Sequence, residues 1–259
     1  MDTPLLEVTK LTKHFGGLAA VEDVSFTINK GEVVGLVGPN GAGKTTVTRL
    51  IMGILKLTSG QVKFKGEDIT GKSTSEIVNR GMATTFQVVK PFRNLPVISN
   101  VMVSVLSPRA KRHGDWVKSA ETRAQNALEF CGISDLAREQ ASILSHGDLK
   151  RLELARALAT EPELLILDEP FGGLNPAETT LIVKSLKRLH TGGRFGRLHS
   201  EGPSMLIIEH KLSDLMKLVD RVIVLKVGRK LLEGTPDVVM NDPVVIDAYI
   251  GRRASKLVS

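Results

Sequence analysis

The chain holds a single cysteine, Cys131, in 259 residues. That excludes an intramolecular disulfide and any metal cluster built from thiolates, and it suits a reducing compartment. Beside Phe130, the lone thiol is expected to be a small buried hydrophobe. Aromatics are also scarce at 4%, and no long basic helix is interleaved with them, so the pattern of a nucleic-acid footprint is missing. No apolar run approaches the ~20 residues that span a bilayer. The start, Met1-Asp2-Thr3-Pro4, has neither the basic nor the apolar region of a secretory leader. The expectation is a cytoplasmic chain that is not itself membrane-embedded. Internal repeats and low-complexity tracts are absent as well.

What is present is an ordinary apolar fraction and a net charge of +7. Such a charge fits an anionic membrane surface or nucleic acid. The excess lies in short groups such as Lys111-Arg112, Lys187-Arg188 and Arg252-Arg253, which favours a solvated surface. The length allows one sizeable core, with residues 1–259 forming one domain that carries a subdomain.

Strand patterns fall at residues 5–9, 24–28, 33–37 and 61–65, the last closed by Gly66. From about 95 to 158 the periodicity becomes helical, as in 121–130 and 150–158, with no strand. Strand character returns at 164–167, 205–208 and 222–225. The reading is an α/β core interrupted by a helical insert. Residues 190–203 have little apolar patterning and read as a long surface loop.

The first chemical motif is Gly38-Pro39-Asn40-Gly41-Ala42-Gly43-Lys44-Thr45, which matches G-x-x-x-x-G-K-[ST]. It follows the apolar run at 33–37 and opens a helical pattern at Thr46. In that context it is a phosphate cradle. Glycines let backbone N–H groups come close to the phosphates and let the loop turn sharply into a helix. The helix dipole favours the anion, Lys44 brings positive charge to the outer phosphates, and Thr45 Oγ1 is placed to ligate magnesium.

The second is Leu164-Leu165-Ile166-Leu167-Asp168-Glu169-Pro170, an apolar strand ending in two carboxylates. Open α/β folds place ligands at the C-terminal edge of a parallel sheet. There Asp168 can hold the magnesium, and Glu169 can polarise the water that attacks a γ-phosphate.

Between these motifs, Leu144-Ser145-His146-Gly147-Asp148 resembles the L-S-G-G-Q signature of ATP-binding-cassette (ABC) ATPases. Gln87 in Thr85-Phe86-Gln87 is similar to that family's Q-loop, His210 to its switch histidine, and Gly173-Leu174-Asn175-Pro176 to its D-loop. The resemblance spans the whole chain with the motifs in order. It implies a P-loop NTPase (RecA-like) α/β core with an N-terminal antiparallel β portion and an inserted α-helical subdomain at about 90–160. It also implies ATP and Mg2+, with Gln87 joining Thr45 and Asp168 as a metal ligand and acting with Glu169 and His210 in catalysis. Phe15 resembles the aromatic that stacks on adenine, and an ordinary core aromatic is the other reading. Ser145 and Gly147 would grip the γ-phosphate held by the opposite subunit, while Ser145 alone reads as a helix N-cap.

The implied partners are a second ABC ATPase subunit, in a homo- or heterodimer, and transmembrane permease subunits. A solute-binding protein would act indirectly, no nucleic acid is expected, and the location would be peripheral, on the cytoplasmic face of the membrane. Within the family the chain is most similar to ATPases of branched-chain or hydrophobic amino-acid importers, through 15–21, Pro91-Phe92-Arg93-Asn94-Leu95, the D-loop and the segment from Asp242-Pro243 to Gly251. Urea importers, lipopolysaccharide exporters and soluble ABC ATPases acting on nucleic acid are the alternatives. Three positions depart from the family pattern: His146 and Asp148 replace Gly and Gln, and Asn175 stands where Asp is commoner. Phe92 reads either as core filling or as part of a seat for a membrane subunit.

Overall fold

A computed structural model describes residues 3–106, 116–191, 202–210 and 212–254, and the side chains of all of these except 116–118, 248 and 250–254. Most of the segment at 190–203 therefore lies outside the described residues. The chain divides into two compact units, Met1–Ile77 with Met205–Ser259, and Val78–Ser204.

The first unit opens with two long strands, β1 (Leu6–Phe15) and β2 (Leu18–Ile28), paired antiparallel. Both run well beyond the alternation at 5–9 and 24–28. The register of β1 slips between Val8 and Leu11, where Lys10 takes φ +49°, and again near Lys13. Bulges of this kind break the period-2 pattern and hide the strand's length from the sequence. β4 (Ser59–Phe64) and the two-residue β5 (Glu67–Asp68) complete this sheet in the order β2-β1-β4-β5.

At the centre of the unit's other sheet lies β3 (Val33–Val37), parallel to β8 (Ser204–Ile208) on one side and to β9 (Arg221–Lys226) on the other. Its residues are all buried, as expected of a parallel strand covered on both faces. β10 (Arg229–Gly234) extends β9 antiparallel; its sequence RKLLEG is largely exposed and carries no strand signature. Arg221 links the two sheets of this unit. It donates to Glu32 (2.7 and 3.1 Å) and to the Thr27 carbonyl (2.7 Å), and it pairs with Glu233. The helices here are α1 (Lys44–Ile51), α7 (Leu212–Leu215), α8 (Pro236–Asn241) and α9 (Pro243–Ala254). The division between units falls within α2 (Thr74–Arg80).

The second unit pairs β6 (Met82–Thr84) in parallel with β7 (Leu164–Asp168). Three residues were too few for β6 to announce itself. Between these strands come α3 (Val97–Val105), α4 (Trp116–Phe130) and α5 (His146–Leu158), which pack on one another. The buried Ala120, Ala124 and Ala127 let α4 approach its neighbours closely. Cys131, just past α4, is buried, and burial pushes its thiol up to about 12. α6 (Pro176–His190) follows β7.

Asn100 on α3 is fully buried and its amide is saturated. Oδ1 accepts the Phe92 N–H (2.8 Å), and Nδ2 donates to the carbonyls of Phe92 (3.1 Å), Leu95 (3.2 Å) and Pro96 (3.1 Å). One side chain thus shapes the turn at 92–96. Asn100→Leu strands those backbone groups and is expected to cost about 2–3 kcal/mol; chemical denaturation checks it, and an unchanged midpoint would refute the assignment.

Candidate active site

The glycine-rich loop leaves β3 and enters α1 at Lys44. Its shape is imposed from behind. Gly38 has φ +153°, and a Cβ there would run into the Leu225 carbonyl oxygen of β9. Gly43 has φ +99°, and its Cβ would lie 2.6 Å from the Ala20 carbonyl oxygen of β2. At these two positions glycine is needed for packing on neighbouring strands as well, and the positive φ of each fits the sharp turn into the helix. Gly41, with φ +80° and nothing within 4 Å of its missing Cβ, fits the conformational argument. Backbone bonds from Gly228 N–H to the Ala42 carbonyl (3.1 Å) and from Glu22 N–H to the Gly228 carbonyl (2.7 Å) tie the loop to β2 and the β9–β10 turn.

Lys44 is buried, and its Nζ donates to the Gly38 and Pro39 carbonyls (2.7 and 3.2 Å). The ammonium therefore sits within the loop's own curl, and Thr45 follows it in the first turn of α1. Pro39 is half-buried, Asn40 and Gly41 are exposed, Ala42 is buried, and Thr46 is half-buried on α1. The chain's one tyrosine, Tyr249 on α9, packs near this loop; burial pushes its phenol up to about 12, with the Gly38 backbone N–H pulling the other way.

At the end of β8, Glu209 is fully buried and accepts the His210 N–H (3.1 Å). The imidazole beside it is exposed, with Nδ1 3.8 Å from Glu209 Oε2. Phe15 is 49% exposed, with Lys13 Nζ 5.0 Å from the ring centroid. It is not a core aromatic.

In the second unit, Asp168 is buried at the end of β7, and its N–H donates to Thr85 Oγ1 (3.3 Å). Glu169 adopts φ +50°, a conformation that costs a non-glycine residue about 1–3 kcal/mol and persists only where the surroundings impose it. Its carbonyl accepts from the Gly172 N–H (3.1 Å) and from Lys150 Nζ (3.2 Å), and its Oε2 accepts from Gln87 Nε2 (2.9 Å). Gln87 and Glu169 are thus brought together. A carboxylate so aimed can take a proton from water, and within this unit the Gln87 amide oxygen and the Asp168 carboxylate are hard oxygen donors of the kind a magnesium ion takes.

Ser145 caps α5. Its Oγ accepts the Asp148 N–H (3.1 Å) and donates to Asp148 Oδ2 (2.6 Å), while Asp148 pairs with Arg151. The capping role is the one realised within this subunit. Gly147 is buried against Glu178, whose Oε1 would lie 2.5 Å from a Cβ. Asn175 caps α6 in a reciprocal capping box with Glu178, and His146 Nε2 lies 3.2 Å from the Gly172 carbonyl.

Sequence reasoning passed over Lys150, Glu153 and Asn100, all buried and all bonded to backbone around Gln87 or Phe92. On α5 the sequence offered no signal, since Lys150 and Glu153 are two charges among several on that helix; Asn100, a lone amide in the apolar run of α3, was the one that could have been noticed.

A family model described as "ABC transporter" matches residues 21–172. The chain belongs to the ABC transporter family. A second model, "Branched-chain amino acid ATP-binding cassette transporter", matches residues 229–255. The high-affinity branched-chain amino acid transport ATP-binding protein LivG of Salmonella typhimurium is 38% identical, covering 97% of this chain and 99% of its own. The corresponding protein BraF of Pseudomonas aeruginosa is 36% identical over the same shares. The crystal structure of the ADP conformation of an ATP-binding cassette of an ABC transporter superposes with a TM-score of 0.81 at 31% identity, covering 96% of this chain and 99% of that one. The protein has the ABC ATPase fold and is an ATP-binding subunit of this family. No described helix is long and apolar enough to cross a membrane.

Gly38→Ala is expected to abolish ATP binding, because the added Cβ meets backbone that cannot yield. Titration with a fluorescent ATP analogue checks it; affinity within about twofold of the parent, well under 1 kcal/mol, would overturn the account of the loop.

Proposed function

We propose that this chain is the ATP-hydrolysing subunit of an importer for branched-chain amino acids. The observation that carries the hydrolytic part is Glu169 at the end of β7, in left-handed backbone, with Gln87 bonded to its carboxylate. The solute class rests on likeness to the LivG and BraF proteins over nearly the whole chain. The phosphates lie against the 38–46 loop, with Lys44 and the α1 N-terminus facing their charge. Magnesium, held by Thr45 and Asp168 with Gln87, would neutralise charge on the β- and γ-oxygens.

Glu169 takes a proton from the water that attacks the γ-phosphorus, His210 contacts that phosphate, and ADP leaves as the P–O bond breaks. The exposed Phe15 offers its face to adenine. A second copy or a paralogue brings its own Ser145 and Gly147 to the γ-phosphate, so ATP closes a head-to-tail dimer and hydrolysis reopens it. Phe92, 47% exposed, lies with Phe86 and Val88 in an apolar segment offered to the permease subunits. The subunit works at the cytoplasmic face of the membrane, fed by a solute-binding protein on the far side.

Glu169→Gln is expected to keep nucleotide binding and lose about 10²–10⁴-fold in turnover; steady-state ATPase assays decide it, and near-parental rates would remove Glu169 from the role. Uptake of radiolabelled leucine by vesicles in which this chain is assembled with its permease subunits tests the solute, and uptake no greater than in vesicles without ATP would overturn it.

A further inference from the structure

The helix that begins at Ser145 carries three charged residues on one stripe, Lys150, Glu153 and Arg156, spaced i, i+3 and i+6 on α5. Each of them bonds to backbone of the segment at 86–92. Glu153 Oε1 accepts the Phe86 N–H (2.8 Å), Lys150 Nζ donates to the Gln87 carbonyl (3.1 Å), and Arg156 donates to the Lys90 carbonyl (3.3 Å). The Arg156 guanidinium also lies 5.7 Å from the centroid of the Phe92 ring. Lys150 and Glu153 are buried, at 5% and 7% exposure. The same Lys150 Nζ reaches the Glu169 carbonyl (3.2 Å).

We infer that this charged ladder is a positioning device: Lys150 fixes the backbone of Gln87 and Glu169 together, and through it α5 joins the Ser145 turn to the hydrolytic carboxylate and to the segment at 86–92. The inference deepens the proposed function and rests on it for the role of Glu169. The geometry is consistent with Glu169 keeping φ +50°. Its carbonyl is held by Lys150 on one side and by the Gly172 N–H on the other, while its carboxylate accepts from Gln87 Nε2.

The ladder also gives movement a route. A partner that displaces 86–92 pulls on three rungs of α5, and the helix carries that displacement to Ser145 at its start and to Glu169 through Lys150. Burial raises the Glu153 carboxyl, opposed by the Phe86 N–H and by the charges of Lys150 and Arg156. The charges of Lys150 and Arg156 thus favour the ionised form of the buried Glu153 carboxyl.

The test uses the full-length subunit and four variants, Lys150→Met, Lys150→Arg, Glu153→Leu and Glu153→Gln. Lys150→Met is expected to lower kcat about tenfold or more while KM and ATP-analogue affinity stay within about twofold, and Lys150→Arg is expected to recover most of that kcat. Glu153→Leu should speed amide hydrogen exchange at Phe86 about tenfold or more, and Glu153→Gln, which keeps the acceptor, should not.

A Lys150→Met enzyme with parental kcat overturns the inference. So does arginine restoring thermal stability without kcat, which would make the role merely structural. If the parent chain hydrolyses no ATP, the proposed function fails. The exchange comparison then still decides the ladder, and parental protection at Phe86 in Glu153→Leu would sink it.

Discussion

A buried ammonium between two main-chain carbonyls is the contact on which the second unit's chemistry depends. Placing Lys150 at 5% exposure removes most of its water, a cost of several kcal/mol for an unpaired cation. The cost is offset only because Gln87 and Glu169 present their carbonyl oxygens at 3.1 and 3.2 Å and the charge of Glu153 acts on the same helix face. The dependence runs both ways. The carbonyl of Glu169 is pinned while its backbone is left-handed, and its carboxylate accepts from Gln87 Nε2. The reactive group is thus held at both its main-chain and its side-chain end.

The phosphate loop in the first unit follows the same logic with different parts. Gly38 and Gly43 sit against the carbonyl oxygens of Leu225 and Ala20, so strands β9 and β2 mould the loop from its inner side. Lys44 is held by the carbonyls of Gly38 and Pro39, which satisfy the ammonium within the loop and keep it where an incoming phosphate can compete for it. In both units a layer behind the reactive groups fixes their geometry, and the groups themselves are free of that burden.

The layer behind is also what the sequence conceals. The loop at 38–45, β3 and β7 were legible because each is a local pattern: glycines at fixed spacing, then continuous apolar runs bounded by turn signals. The full lengths of β1 and β2 were not, since bulges near Lys10 and Lys13 disrupt alternation. Nor was β10, an exposed ribbon that owes its conformation to β9. Among site residues, Asp168 and Glu169 stood out as carboxylates ending an apolar strand. Lys150 and Glu153 read as ordinary charges on an amphipathic helix, because only the tertiary fold reveals that they face inward. The packing need for Gly38 and Gly43 was hidden in the same way, since the contacts that demand glycine come from Leu225 and Ala20, 187 and 23 positions away.

The departures from the family signature can be understood as a local circuit. His146 lies 3.2 Å from the Gly172 carbonyl, Asp148 binds the Ser145 hydroxyl and pairs with Arg151, and Asn175 closes a capping box with Glu178, whose side chain packs over Gly147. Each substituted residue therefore has a partner inside the same unit, and together they tie the start of α5 to the start of α6. On the proposed trans dimer this circuit has an energetic consequence. Ser145 must exchange a charged acceptor, Asp148 Oδ2 at 2.6 Å, for an oxygen of the partner's γ-phosphate, so closure forfeits one charge-assisted hydrogen bond to make another. The negative charge of Asp148 opposes the approaching phosphate, and Arg151 offsets part of that repulsion by pairing with it. On that proposal, the balance between these two residues would help to set how tightly ATP holds the two subunits together.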